Sequence, residues 1–211
     1  MKAKVIILPV LLFLFVSYAY AGWSEKPEFR LSHYYRYDLR KDFRQLYIDR
    51  ISATFSYLDD KEQPLLKLIP FYEIRRNIKR HFWERKEAGV ETGKDIFSWF
   101  YLGESIQYVW TQEDLTNSYY PDYDKRDYME SETRFYLTHS LLSAKNFKVK
   151  SFILDEYTFD FNSESGTRNE IAIGLIFPIG KYIETDVSWR HIDRIHYYDS
   201  DTVEAAVNLV F

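Results

Sequence analysis

The sequence predicts an all-β protein, an antiparallel up-and-down transmembrane β-barrel of about ten strands. Three observations carry that expectation. About ten stretches alternate apolar and polar residues, and a period of two puts successive side chains on opposite faces of a strand. The connections between them include tight turns in alternate positions, as in barrels with short periplasmic turns and longer external loops. The chain is also rich in aromatics, with 5 Trp, 19 Tyr and 16 Phe among 211 residues. Tyr and Trp concentrate where one end of a side chain meets lipid and the other meets water.

The strands follow in order. The first covers Glu28 to Leu39, with Phe29, Leu31, Tyr35 and Tyr37 opposing Arg30, Ser32, Arg36 and Asp38. The second, Gln45 to Tyr57, sets Ile51, Ala53, Phe55 and Tyr57 against Arg50, Ser52, Thr54 and Ser56. The third, Leu65 to Arg75, sets Leu66, Leu68, Tyr72 and Ile74 against Lys67, Glu73 and Arg75. In the fourth, Phe82 to Thr92, the run Glu84-Arg85-Lys86-Glu87 reads equally as a turn of solvated helix. The fifth, Trp99 to Thr111, alternates cleanly except at Glu104, which falls on the apolar side.

In the sixth, Asp127 to Leu141, Glu130, Glu132, Arg134 and Thr138 oppose Phe135, Leu137 and Leu141. The seventh, Phe147 to Phe161, ends with Tyr157, Phe159 and Phe161 against Glu156, Thr158 and Asp160. The eighth sets Ile171, Ile173, Leu175 and Phe177 against Glu170, Ala172 and Gly174. The ninth sets Ile183, Thr185, Val187 and Trp189 against Glu184, Asp186, Ser188 and Arg190. The tenth, Asp201 to Phe211, puts Val203, Ala205, Val207, Leu209 and Phe211 on one face. Tight turns are expected at Leu58 to Pro64, Gly93 to Ser98, Leu142 to Asn146 and Pro178 to Lys181. Long loops are expected at Gln112 to Arg126 and Ile192 to Asp201, and a short one at Arg40 to Arg44.

Alternation does not say which face is outside. A soluble barrel buries its apolar face, whereas a membrane barrel turns it to lipid. Charges of both signs at mid-strand suit a lumen where they pair, and both chain ends favour the membrane form. Lys2 and Lys4 precede an apolar run from Val5 to Val16, and Ala19-Tyr20-Ala21 fits a small-x-small cleavage site. Residues 1–21 therefore read as a cleaved signal peptide and 22–211 as the barrel domain. Cleavage removes two lysines and takes the formal charge from −4 to −6. The terminal strand resembles the C-terminal assembly signal of bacterial outer-membrane barrels, carried by Val207, Leu209 and Phe211.

The absence of cysteine excludes lipid anchoring through a cysteine, disulfides and thiolate chemistry. The mildly acidic, mixed-sign balance supplies no basic stripe for nucleic acid. No Gly-rich phosphate loop or dinucleotide motif is present, and no cofactor or metal is expected. The expected partners are outer-membrane lipid and, during biogenesis, the export translocon and the barrel assembly machinery. The expected location is the outer membrane of a Gram-negative bacterium.

A ten-stranded barrel is narrow, so its lumen should be plugged by its own side chains rather than form a wide pore. Pairing of the last three strands brings Arg190 between Glu170 and Glu204, where a planar guanidinium bonds both carboxylates. That triad reads as a gate or binding point, or as a network that sets strand register. The densest polar cluster, His191, Asp193, His196, Asp199 and Asp201, falls at the external mouth of the last hairpin. Its imidazoles and carboxylates suit metal binding or water activation, although the spacing matches no metal signature. Ten-stranded outer-membrane proteases use acid and histidine groups at such a rim. Outer-membrane lipid A deacylases are similar only in being small barrels, since the expected His-x-Ser is replaced by His191-Ile192-Asp193. The Tyr119-Tyr120-Pro121-Asp122-Tyr123-Asp124 loop suits stacking on sugars, a partner protein, or an interface girdle.

From Ser151 to Phe211 the chain resembles a family of small bacterial outer-membrane barrels of unknown function. The residues are Asp155-Glu156-x-x-Phe159-x-Phe161-Asn162, Arg168-Asn169, Ile173-Gly174-Leu175 and Trp189-Arg190-His191. The resemblance implies the barrel and its location, and carries over no activity and no site residue. The expected function is that of a structural, binding or narrow-transport barrel. A rim hydrolase, acting on protein or lipid, and a soluble periplasmic ligand-binding barrel are the alternatives.

Overall fold

A computed structural model describes residues 22–24, 26–40, 45–60, 62–79, 81–111, 127–144, 147–194 and 199–211. The ten strands are β1 (Glu28–Asp38), β2 (Gln45–Leu58), β3 (Pro64–Asn77), β4 (Phe82–Phe97) and β5 (Phe100–Thr111), then β6 (Asp127–Ala144), β7 (Phe147–Asp160), β8 (Ser165–Ile179), β9 (Ile183–Arg194) and β10 (Ser200–Val210). Each pairs antiparallel with its sequence neighbours, and β1 pairs with β10, so the sheet closes into a barrel with no free edge. Closure continues past the ladder, where Phe211 and Phe29 exchange backbone N–H···O bonds of 2.9 and 3.0 Å.

Burial is inverted relative to a soluble domain. Glu130, Glu170 and Glu204 are 1–2% exposed, while Leu31, Ile51, Ile106, Ile153, Ile173 and Val207 stand open on the outside. Because the side-chain period is two, the same alternation that buries the charges turns the aliphatics outward. This is the pattern of a barrel whose outer wall meets hydrocarbon.

Aromatic pairs gather toward the two ends of that wall. At the end carrying the chain termini, Phe97 stacks on Trp99 at 5.3 Å and Tyr182 on Phe211 at 6.3 Å. Toward the other end, Tyr35 lies 5.8 Å from Tyr47 and Tyr108 4.8 Å from Trp110. Two such girdles mark the polar boundaries of a membrane barrel.

Three expected turns differ from the structure. Residues 93–97 belong to β4, which pairs with β5 down to Phe97–Phe100, and β6 carries the Leu142 region on to Ala144. Likewise β8 runs to Ile179, leaving the turn at Gly180, whose positive φ of 71° suits glycine. The expected loop from Ile192 to Asp201 also gives way, because β9 extends to Arg194 and β10 begins at Ser200. In each case backbone pairing persists after the apolar alternation has faded. The run Glu84-Arg85-Lys86-Glu87 is strand rather than helix. Arg85 and Glu87 point inward to pair with each other, and Lys86 points outward with its ammonium 4.2 Å from the Trp83 ring. Residues 1–21, read as a signal peptide, and the tyrosine-rich loop 112–126 lie outside the described residues.

Candidate functional site

The lumen holds the chemistry of the described residues, and it divides along its length. Around the middle runs a belt of glutamates and arginines contributed by nine of the ten strands. Glu130 of β6 is bonded by Arg85 and by Gln107 Nε2 at 2.6 Å. Arg85 donates from Nε to Glu87 at 2.5 Å, and Arg75 links Glu87 (3.4 Å) to Glu73 (2.7 Å). Arg50 spans Glu73 at 3.5 Å and Glu91 at 3.8 Å, with its guanidinium 4.0 Å from the Phe71 ring centroid. Arg134 then bonds three carboxylates at once: Glu91 at 2.7 Å, Glu156 at 2.6 Å and Glu132 at 3.1 Å. Arg168 holds the far side of Glu132 at 3.0 Å. The cations of this belt are arginines, whose planar fork bonds two or more carboxylates at fixed angles.

The predicted triad of Glu170, Arg190 and Glu204 comes together in the same belt, with a fourth member. Arg190 pairs with Glu170 and, at 2.7 Å, with Glu204. Arg36 of β1 pairs with the same two carboxylates at 3.3 and 2.7 Å. The register differs by two residues from the expected one, because Arg190 faces Ala172 on one side and Thr202 on the other. Both glutamates lie one diagonal step away, within reach of a long side chain.

Strand β5 contributes no charge to the belt, and glycine explains what it contributes instead. The Tyr101 ring lies over Gly93, where an added Cβ would come within 2.0 Å of its hydroxyl, and that hydroxyl donates to Glu91 at 2.7 Å. Gly174 makes similar room for the Phe152 ring.

On one side of the belt the lumen is packed shut by Val109, Gln107, Thr158, Ile192, Ser200 and Thr202, each nearly fully buried. On the other, toward the chain termini, it opens into a cavity of about 670 Å³. The space arises because β1 and β2 point small residues inward there: Ser32, Ser52, Thr54 and Ser56. An apolar cluster of Phe152, Leu154, Ala172 and Ile176, with Tyr136 against it, forms part of the opposite wall. The serine and threonine run on β2 was the sequence signal for this cavity, and it was not read as one.

Of the rim cluster, the described residues bring His191 and Asp201 together. His191 and Asp193 are on β9 rather than in a loop, and His196 lies outside the described residues. His191 Nδ1 donates a 2.9 Å bond to Asp201, and the ring stacks beside Trp189 on the outer wall, away from the lumen. No group of three or more potential metal ligands occurs among the described residues. Val207 and Phe211 are exposed on the outer wall and Leu209 shares their face, beside the β1 seam.

No family model matches this chain and no curated protein is similar to it, so the resemblance over Ser151 to Phe211 rests on its short motifs alone. Among solved structures, one match is a bacterial polysaccharide outer membrane secretin, with 14% identity over 88% of this chain and 70% of the other and a TM-score of 0.48. Another is the NanC porin, at 13% identity over 87% and 99% of the two chains and a TM-score of 0.42. A third is the β-domain of the Bordetella autotransporter BrkA, at 9% identity over 89% and 99% and a TM-score of 0.38. At these scores the likeness carries nothing about activity, and the architecture rests on the closed ten-stranded sheet itself.

Proposed function

We propose that this chain is a Gram-negative outer-membrane β-barrel that acts as a structural, binding or narrow-transport protein rather than as a wide diffusion pore. One observation carries the reading: the outer wall is apolar, whereas the lumen is crossed by a belt of paired Arg and Glu side chains. Charges bonded on several sides are costly to displace, so the belt closes the lumen to bulk solute. In this reading residues 1–21 are a signal removed on export, and the barrel is placed in lipid by the assembly machinery.

Detergent fractionation and heat-modifiable gel mobility test the location, and planar-bilayer recording tests the closed lumen. The expected result is a detergent-extracted, heat-modifiable barrel without stable porin-like steps. Recovery in the aqueous periplasmic fraction would support the soluble ligand-binding alternative and overturn the reading. Steady large conductance would overturn the closed lumen alone. The rim hydrolase has one contact in its favour, the His191–Asp201 pair. Alanine replacement of His191, Asp193 and His196 would abolish hydrolysis by such an enzyme and leave a scaffold unaffected.

A further inference from the structure

We propose that the luminal cavity is a binding site for an organic cation, an ammonium or guanidinium group carried on an apolar body. The cavity wall carries eleven carboxylates and nine basic groups. Most of them are taken up by the belt, so the decisive groups lie nearer the termini. There Lys67 is held by Asp95 at 2.7 Å, and Arg30 reaches Glu184 only at 3.5 Å. Asp186, pointing inward from β9, makes no ion pair among the described residues, and Asn208 Nδ2 donates to it at 3.0 Å.

Asn208 supplies the second, independent observation. It is 2% exposed and lines the cavity, yet its Oδ1 has no partner. A buried amide oxygen without a donor loses its bonds to water without replacement, and a ligand N–H recovers one. Asp186 and Asn208 Oδ1 are both acceptors, and Glu184 lines the same cavity. A cation with several N–H donors matches this set, whereas an anion would meet carboxylates.

The surroundings specify the rest of the ligand. Asp186 is flanked across the sheet by Ile176 and Ala206, which register directly opposite it. Phe152 and Tyr136, with ring centroids 5.6 Å apart, continue this apolar surface. An aromatic face beside a carboxylate suits the cation electrostatically as well as by contact, because the ring quadrupole is negative at its face. The cavity opens toward the end that carries the chain termini, so the ligand arrives from that side. Of the described cations at this end of the cavity, Arg30 is directed to Glu184 at 3.5 Å and Lys67 to Asp95 at 2.7 Å.

This inference rests on the binding branch of the proposed function, and its test separates the two. The full barrel in zwitterionic lipid nanodiscs is titrated calorimetrically, against empty nanodiscs, with three probes of similar shape. These are the phenethylammonium cation, neutral 2-phenylethanol and the 3-phenylpropionate anion. The cation should bind at least tenfold tighter than the alcohol, and the anion should not bind. Asp186→Asn should weaken the cation at least tenfold while leaving the alcohol unchanged, and Asn208→Ala should weaken it severalfold. Equal or tighter binding of the anion overturns the proposal, as does unchanged cation binding in a folded Asp186→Asn barrel. Heat-modifiable mobility reports folding separately, so a folded barrel that ignores the cation refutes the site and leaves the location standing. Should a variant fail to fold, the ranking of the three probes on the unaltered protein still decides.

Discussion

Glu91 and Glu104 sit on adjacent strands, one register step apart, and face opposite ways. Glu91 points into the lumen, where Arg134, Arg50 and the Tyr101 hydroxyl surround its carboxylate. Glu104 points out through the apolar wall, and among its side-chain contacts is a single 2.5 Å bond donated by Thr133 Oγ1. The two residues are chemically identical, and the sheet pleat alone decides which becomes part of a network. Inside, the carboxylates of the belt are fixed by guanidinium groups that in turn depend on them for pairing. Outside, a carboxylate has little to hold it and a hydrocarbon solvent to avoid. The same residue type therefore stabilises one face of this sheet and burdens the other.

Substitutions that remove one partner from the inner face should have the largest effects. Arg134→Leu removes a guanidinium bond from Glu91, Glu132 and Glu156 at once, and breaking a buried network in this way costs about 3–5 kcal/mol. Urea unfolding followed by gel mobility should show that loss, and a near-normal midpoint would mean the belt is dispensable. Arg190→Leu should cost less, about 3 kcal/mol, because Arg36 still reaches both Glu170 and Glu204. The double variant with Arg36→Leu should then lose more than the two single losses added together, which a double-mutant cycle measures directly. Gly93→Ala comes next, since its new methyl collides with Tyr101 and overpacking costs about 1–3 kcal/mol. Combining it with Tyr101→Leu should recover most of the strain, and failure to do so would place the clash elsewhere.

Strand positions were legible because alternation is local, and the sequence boundaries fell close to those of the ten strands. Where alternation faded before pairing ended, as at 93–97 and after Ile192, the strands ran longer than the pattern suggested. The Glu170, Arg190 and Glu204 grouping was legible because three consecutive strands carry it. Its partner Arg36 was not, since it arrives only when β1 closes on β10, with 168 residues separating Arg36 from Glu204. The rest of the belt was hidden for a related reason. Arg134 bonds Glu91 across β5, skipping a whole strand, and strand-by-strand reading has no means of pairing positions across a lumen. The rim cluster looked dense in sequence because it was taken for a loop. As strand, His191 and Asp193 share the outer wall, where His191 registers opposite Asp201, facing away from the lumen.

Glu104 supplies the smallest effect and the sharpest one, because its sign should reverse. Replacing a luminal glutamate removes a partner and destabilises, as the inner-face variants do. Glu104→Gln removes a charge from a wall that the proposed reading places in hydrocarbon, while the amide oxygen still accepts the Thr133 bond. Acidic residues on the lipid face cost less than basic ones and less toward the interfaces, so the gain should be up to about 1 kcal/mol. Glu104→Leu should keep most of that gain even though the Thr133 hydroxyl loses its acceptor, because a neutral hydroxyl facing hydrocarbon costs less than a charge there. Measured by urea unfolding in lipid vesicles, both variants should match or exceed the unaltered barrel. In water-facing conditions a glutamate on an exposed strand is indifferent to neutralisation, so a gain that appears in vesicles and vanishes in a short-chain detergent ties the effect to the hydrocarbon. A loss in both media would mean that Glu104 belongs to a second polar network on the outer wall, and the contrast with Glu91 would then be one of partner number rather than of solvent.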